Sequence, residues 1–68
     1  MEQVKFIRCQ RGTNELDFVV FGRFEEEINY WLKRNPKIKI TKREFRMTKL
    51  KNELLNELIM VIHYKPPA

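Results

Sequence analysis

Phe24, Ile28, Trp31 and Leu32 recur at helical spacing and fix one amphipathic helix near the middle of the chain. Lys33 and Arg34 close this helix, and Asn35-Pro36 stop it, because proline has no N–H for the next helical hydrogen bond. Glu25, Glu26 and Glu27 read as its first turn, where acids complement the macrodipole. The flanking segments carry strand patterns instead. One helix among strands in 68 residues predicts a single α+β domain over 1–68. Its expected architecture is one amphipathic helix packed on a three- or four-stranded, antiparallel-rich sheet with a long C-terminal β-hairpin.

Val4–Cys9 (VKFIRC) places apolar residues on both parities, the pattern of a central strand covered on two faces. Gln10–Asn14 reads as a turn. Leu16–Phe21 (LDFVVF) carries two signals. Leu16, Val20, Phe24, Ile28 and Leu32 form one row of helical spacing, and Asn14 with Asp17 resembles a capping pair. Adjacent valines flanked by phenylalanines, followed by Gly22, favour a short strand paired back onto Val4–Cys9. The balance leans to the strand.

Residues 37–65 predict the hairpin. Ile38 and Ile40 alternate with lysines, whereas Phe45 and Met47 have the opposite parity, so a β-bulge near Lys42-Arg43 is expected. A turn near Lys51-Asn52 sets Phe45 opposite Leu58 and Arg46 opposite Glu57, and the bulge then sets Ile40 opposite Ile62. Leu50, Leu54, Leu55 and Leu58 also have helical spacing, which admits a helical turn between the strands. One helix covers one sheet face. Ile7, Ile59, Val61 and His63 are the expected lining of the uncovered face, where a second subunit or another partner docks.

Val4-Lys5-Phe6, Ile28-Asn29-Tyr30-Trp31-Leu32, Ile38-Lys39-Ile40 and Met60-Val61-Ile62-His63-Tyr64 together resemble a family of very small β-α-β-β proteins. These occur in spore-forming Firmicutes and their phages and include sporulation-associated proteins of unknown biochemical role. The resemblance implies a bacterial or phage origin and a non-enzymatic role. It supplies no catalytic residues. The chain departs from the family in Leu16–Phe21 and in the strength of its basic stretch.

Charge is concentrated. Lys37 to Lys51 hold seven basic residues and one acid, Glu44, for a sum of +6 within a net +5. Lys37, Lys39, Lys42, Arg43, Arg46, Lys49 and Lys51 are therefore the candidate patch for an acidic protein partner or for nucleic acid. Lysines on an edge strand also discourage aggregation, which is the competing use of such residues.

Little in the chain points to catalysis. One cysteine excludes an internal disulfide, and one cysteine with one histidine cannot complete a four-ligand zinc site. Cys9 with His63 is the conceivable nucleophile–base pair, but no third member orients it. His63 alone is a candidate pH-sensitive group at a subunit interface. Trp31 reads as core, and Tyr30 lies off the apolar stripe as a surface or interface aromatic. Neither a glycine-rich phosphate loop nor metal-ligand spacing is present, so no cofactor and no small-molecule substrate are expected. No signal peptide or membrane span is legible, and a lone thiol suits the cytosol.

A core this small supplies only about 3–5 kcal/mol, so a homodimer is expected. The sequence thus reads as a non-catalytic binding module. It would self-associate and engage a partner protein through the basic hairpin and the uncovered sheet face. The alternatives are a nucleic-acid-binding module using residues 37–51 and a small phage-encoded inhibitor of a host protein. A loose chain end is expected at Lys65–Ala68.

Overall fold

Four elements follow one another in the computed structural model, which describes residues 1–67: β1 (Gln3–Gln10), α1 (Asp17–Arg34), β2 (Lys39–Lys49) and β3 (Leu55–Lys65). The strands form one antiparallel sheet in the order β1-β3-β2, and α1 packs on one face of it. The α+β architecture with a C-terminal hairpin is as expected. Ala68 in the expected loose end lies outside the described residues.

The central strand is β3, not β1. Its run from Leu58 to Tyr64 is apolar on both parities and is hydrogen-bonded on both edges. β1 is an edge strand. Its Ile7 and Cys9 enter the core under the helix, while Val4 and Phe6 on the other parity stay 45% and 60% exposed.

Leu16–Phe21 does not form a strand. The helix begins at Asp17, runs through Gly22 and is continuous to Arg34. The Leu16 carbonyl accepts bonds from the N–H groups of Val19 and Val20 at 3.0 and 3.3 Å. Burial decides against β-propensity here: Val20 is fully enclosed and Phe24 nearly so, one helical turn apart on the sheet-facing stripe. Glu25, Glu26 and Glu27 consequently sit mid-helix and exposed, and Asp17 is the acid of the first turn. Leu16 is the N-cap residue and has no side-chain cap. Asn14, in the left-handed region at φ 62°, serves the turn rather than the helix.

Arg11 ties the β1–α1 connection to the hairpin. Its backbone N–H donates to the Asn56 carbonyl at 2.9 Å, and its guanidinium donates to the carbonyls of Leu55 and Glu15 and to the Asp17 carboxylate. Gly12 lies against the end of the Glu15 side chain. A Cβ there would lie 2.6 Å from Glu15 Oε1, the atom to which the Gly12 N–H donates.

In the hairpin, the expected register is off by two residues: Phe45 faces Met60, Arg46 faces Ile59, and Ile40 faces Tyr64. Two one-residue additions account for this. The loop closes with Leu50 N–H donating to the Leu54 carbonyl at 2.8 Å, and Glu53 takes φ 70° within it. Asn56 is then an extra residue on β3, where the register shifts between Thr48 and Lys49. An even displacement preserves every side chain's face. The Asn56 irregularity also explains the leucine spacing that suggested a helical turn. It brings Leu55 and Leu58, three apart, to the same buried side. The bulge expected near Lys42-Arg43 falls at Thr41, between Ile40 and Lys42.

The core comprises Ile7, Cys9, Val20, Phe24, Leu55, Leu58 and Ile62, with Ile28, Trp31, Ile40, Met60 and Tyr64 packed around it. Trp31 meets Tyr64 edge-on at 5.2 Å. α1 lies over β1 and β3 and meets β2 through the Phe24–Phe45 ring pair at 6.0 Å.

Candidate functional site

Strand alternation and the paired register define the sheet face that α1 leaves uncovered. Four cross-strand rows run over it: Val4–His63–Lys42, Phe6–Val61–Glu44, Arg8–Ile59–Arg46 and Gln10–Glu57–Thr48. Val4, Phe6, Ile59 and Val61 form its apolar centre. Around them lie charges of both signs. Arg8 pairs with Glu57 at 3.4 Å, while Glu44 takes Lys42 at 2.9 Å and Arg46 at 3.9 Å. The Lys42 hydrogen bond, with lesser help from Arg46 and His63, holds the Glu44 carboxyl below the usual carboxylate range.

Three of the four expected lining residues, Ile59, Val61 and His63, are on this face. Ile7 is not. It points to the helix and belongs to the core, being 5% exposed. The β1 residues that line the open face are Val4 and Phe6. Their parity was legible, but reading β1 as central gave both parities equal standing.

The basic residues do not form a single row. Lys39, Lys42 and Arg46 alternate onto the open face. Arg43 and Lys49 project on the helix side, beside Phe45 and Met47. Lys37 precedes β2, and Lys51 lies in the hairpin turn. Lys49 approaches Glu53 at 4.0 Å. Lys37, Lys39, Arg43 and Lys51 make no ion pair among the described residues. Exposed pairs of this kind contribute about 0–1 kcal/mol each, so the positive field of the hairpin survives them.

Cys9 and His63 are on neighbouring strands but opposite faces. The Cys9 thiol is buried and donates to the Val20 carbonyl at 3.7 Å, whereas His63 is on the open side. The geometry brings no base to the thiol. Among the described residues, no group of three or more His, Cys, Asp and Glu side chains is placed to hold a metal ion, and no helix is long and apolar enough to cross a membrane.

A second concavity was not evident in the sequence. A groove of about 760 Å³ runs between β1 and the C-terminal half of α1, walled by Lys5 to Arg8 on one side and by Glu27, Tyr30, Trp31 and Arg34 on the other. The helical wall residues are three and four apart and share one helix side. That spacing was readable in the sequence. Its pairing with β1 depended on knowing that β1 is an edge.

The chain matches no family model, no curated protein and no solved structure.

Proposed function

We propose that this protein is a non-catalytic binding module that self-associates through its open sheet face and offers its basic hairpin to an acidic protein partner. The apolar centre of that face, where Val4 and Phe6 stay exposed beside half-buried Ile59 and buried Val61, carries the proposal. Apolar side chains ringed by charges have the composition of an interface core with a polar rim. Both signs of charge occur in the rim, so two copies can meet about a two-fold axis with Glu44 and Glu57 available to the partner copy's arginines. The small core favours the same conclusion, because association adds buried surface that the chain cannot supply alone. The resemblance to small β-α-β-β proteins points to a non-enzymatic role as well.

Size-exclusion chromatography with light scattering tests the self-association. A dimer at micromolar concentration is expected, with Ile59→Asp shifting it to monomer. A native chain that stays monomeric refutes the dimer. Titration with poly-glutamate and with duplex and single-stranded oligonucleotides at two salt concentrations tests the hairpin. Preferential, salt-sensitive binding to the polypeptide is expected, and tighter binding to the oligonucleotides transfers the role to nucleic acid.

A further inference from the structure

The groove between β1 and α1 lies away from the basic hairpin and meets the open sheet face only at Phe6 and Arg8, and one of its walls is a strand edge. Four consecutive residues, Lys5, Phe6, Ile7 and Arg8, line it. Consecutive strand residues point to alternate faces, so a cavity that touches all four meets the strand edge-on. That edge is unpaired, because β1 ends the sheet and its other edge is bonded to β3. It is also regular. β1 pairs with β3 in unbroken register over Gln3–Gln10 and contains no proline, whereas the opposite edge strand, β2, is bulged at Thr41 and dense in lysine and arginine.

The groove's chemistry selects its occupant. Lys5 is half-buried on the helix side of β1, and Arg34 faces it from α1. Neither makes an ion pair among the described residues. Arg34 is held in place: its Nη1 donates to the Tyr30 hydroxyl at 2.9 Å, and its guanidinium lies 5.4 Å over the Tyr30 ring. With Arg8, three cations border the groove against one acid, Glu27. A second copy of the chain pairing edge to edge would bring its own Lys5 and Arg8 into this field, so like charge disfavours that occupant.

We infer that the groove receives an extended acidic segment of another protein, which adds to β1 as a fourth strand. Strand addition draws affinity from main-chain hydrogen bonds and specificity from alternate side chains. On the helix side, the segment's acidic side chains lie against Lys5 and Arg34. On the other side its apolar side chains extend the sheet beside Val4 and Phe6, which are exposed in the single chain. The recognised sequence therefore alternates acidic and apolar residues.

A fluorescein-labelled eight-residue peptide alternating glutamate and valine, titrated into the full chain, tests this. The expected result is binding that moves backbone amide resonances of Gln3–Gln10 and of the Glu27–Arg34 helix wall. Lys5→Glu with Arg34→Glu weakens it about tenfold, while Lys39→Glu with Arg43→Glu changes it by less than about twofold. N-methylating one alternate set of peptide amides abolishes binding, and methylating the other set does not, because only one set faces β1. No binding at about 50 mM salt overturns the inference. So do resonance changes centred on Lys39–Lys49, or equal tolerance of both methylation patterns. The resonance and methylation measurements use the native chain, so they decide the matter even if the charge-reversed variant fails to fold.

Discussion

Glu15 and Arg23 clamp the start of the helix: the Arg23 Nη2 donates to Glu15 Oε1 at 2.9 Å, and a second guanidinium nitrogen bonds the other carboxylate oxygen. Arg23 also reaches back to the Gln10 carbonyl at 2.6 Å, so one side chain ties α1 to the end of β1. The Arg23 hydrogen bond, followed by that from the Gly12 N–H, holds the Glu15 carboxyl below the usual carboxylate range. A depressed folded value means that the associated stability is present above the unfolded carboxylate value, about 4.3, and is lost as pH falls through the folded value. Thermal melts of the native chain should therefore decline on acidification below that point. In Glu15→Gln the decline should be shallower. An unchanged acid limb in the variant contradicts a role for this pair.

Gly22 lies within α1 at ordinary negative φ, and a Cβ added there meets no heavy atom within 4 Å. Gly22→Ala should stabilise the fold by about 0.5–1 kcal/mol by restricting the unfolded chain and favouring helix. In a domain of this size that raises the melting temperature by about 2–8 °C. Circular dichroism melts will show it, and a lowered melting temperature would mean that the position is crowded after all.

Leu58 is fully enclosed at the centre of β3, whereas Phe6, a larger side chain, is mostly exposed. Leu58→Ala should cost about 2–5 kcal/mol, enough to unfold most of a domain with so small a core. Phe6→Ser should change the stability of the monomeric fold by about 0.5 kcal/mol or less. Urea denaturation at low protein concentration separates the two, and similar losses would mean that the open face is already part of a core.

Hydrogen exchange should rank the strands. β3 is bonded on both edges and carries three of the seven residues of the core cluster, Leu55, Leu58 and Ile62. Its amides should be the most protected. The β2 amides that point away from β3 should exchange fastest among the strands. Equal protection along the outer side of β2 would reveal a covering partner in solution.

Much of this organisation was readable from the chain. The helix stripe, the C-terminal hairpin and a bulge in its first strand all follow from periodicity, and the two-residue register displacement left Ile40, Phe45, Leu58 and Ile62 on one common face. Leu16–Phe21 was harder. Val19-Val20 and two phenylalanines have the local composition of a strand, and the deciding fact is non-local: Val20 fills the core beside Cys9. The edge position of β1 was likewise hidden. Val4, Phe6, Ile7 and Cys9 are apolar on both parities, but their pattern does not reveal that one parity is left uncovered. For the proposed binding surfaces, the charge density of residues 37–51 was plain from composition, and its division between two faces required the actual strand geometry. The β1–α1 groove depends on two segments far apart in sequence, so no local signal announces it.

The helix meets β2 through little more than Phe24 and Phe45, and this has a consequence for how the molecule tolerates change. Most of the net positive charge sits on the strand whose side chains contribute least to the packed interior. Sign, density and spacing of charge along that strand can be rewritten while Val20, Phe24, Leu58 and Ile62 keep the scaffold intact. Under the binding role proposed above, target preference and foldability are thus under nearly separate control, and a lineage or a designer can redirect the hairpin to a new surface without rebuilding what holds it up.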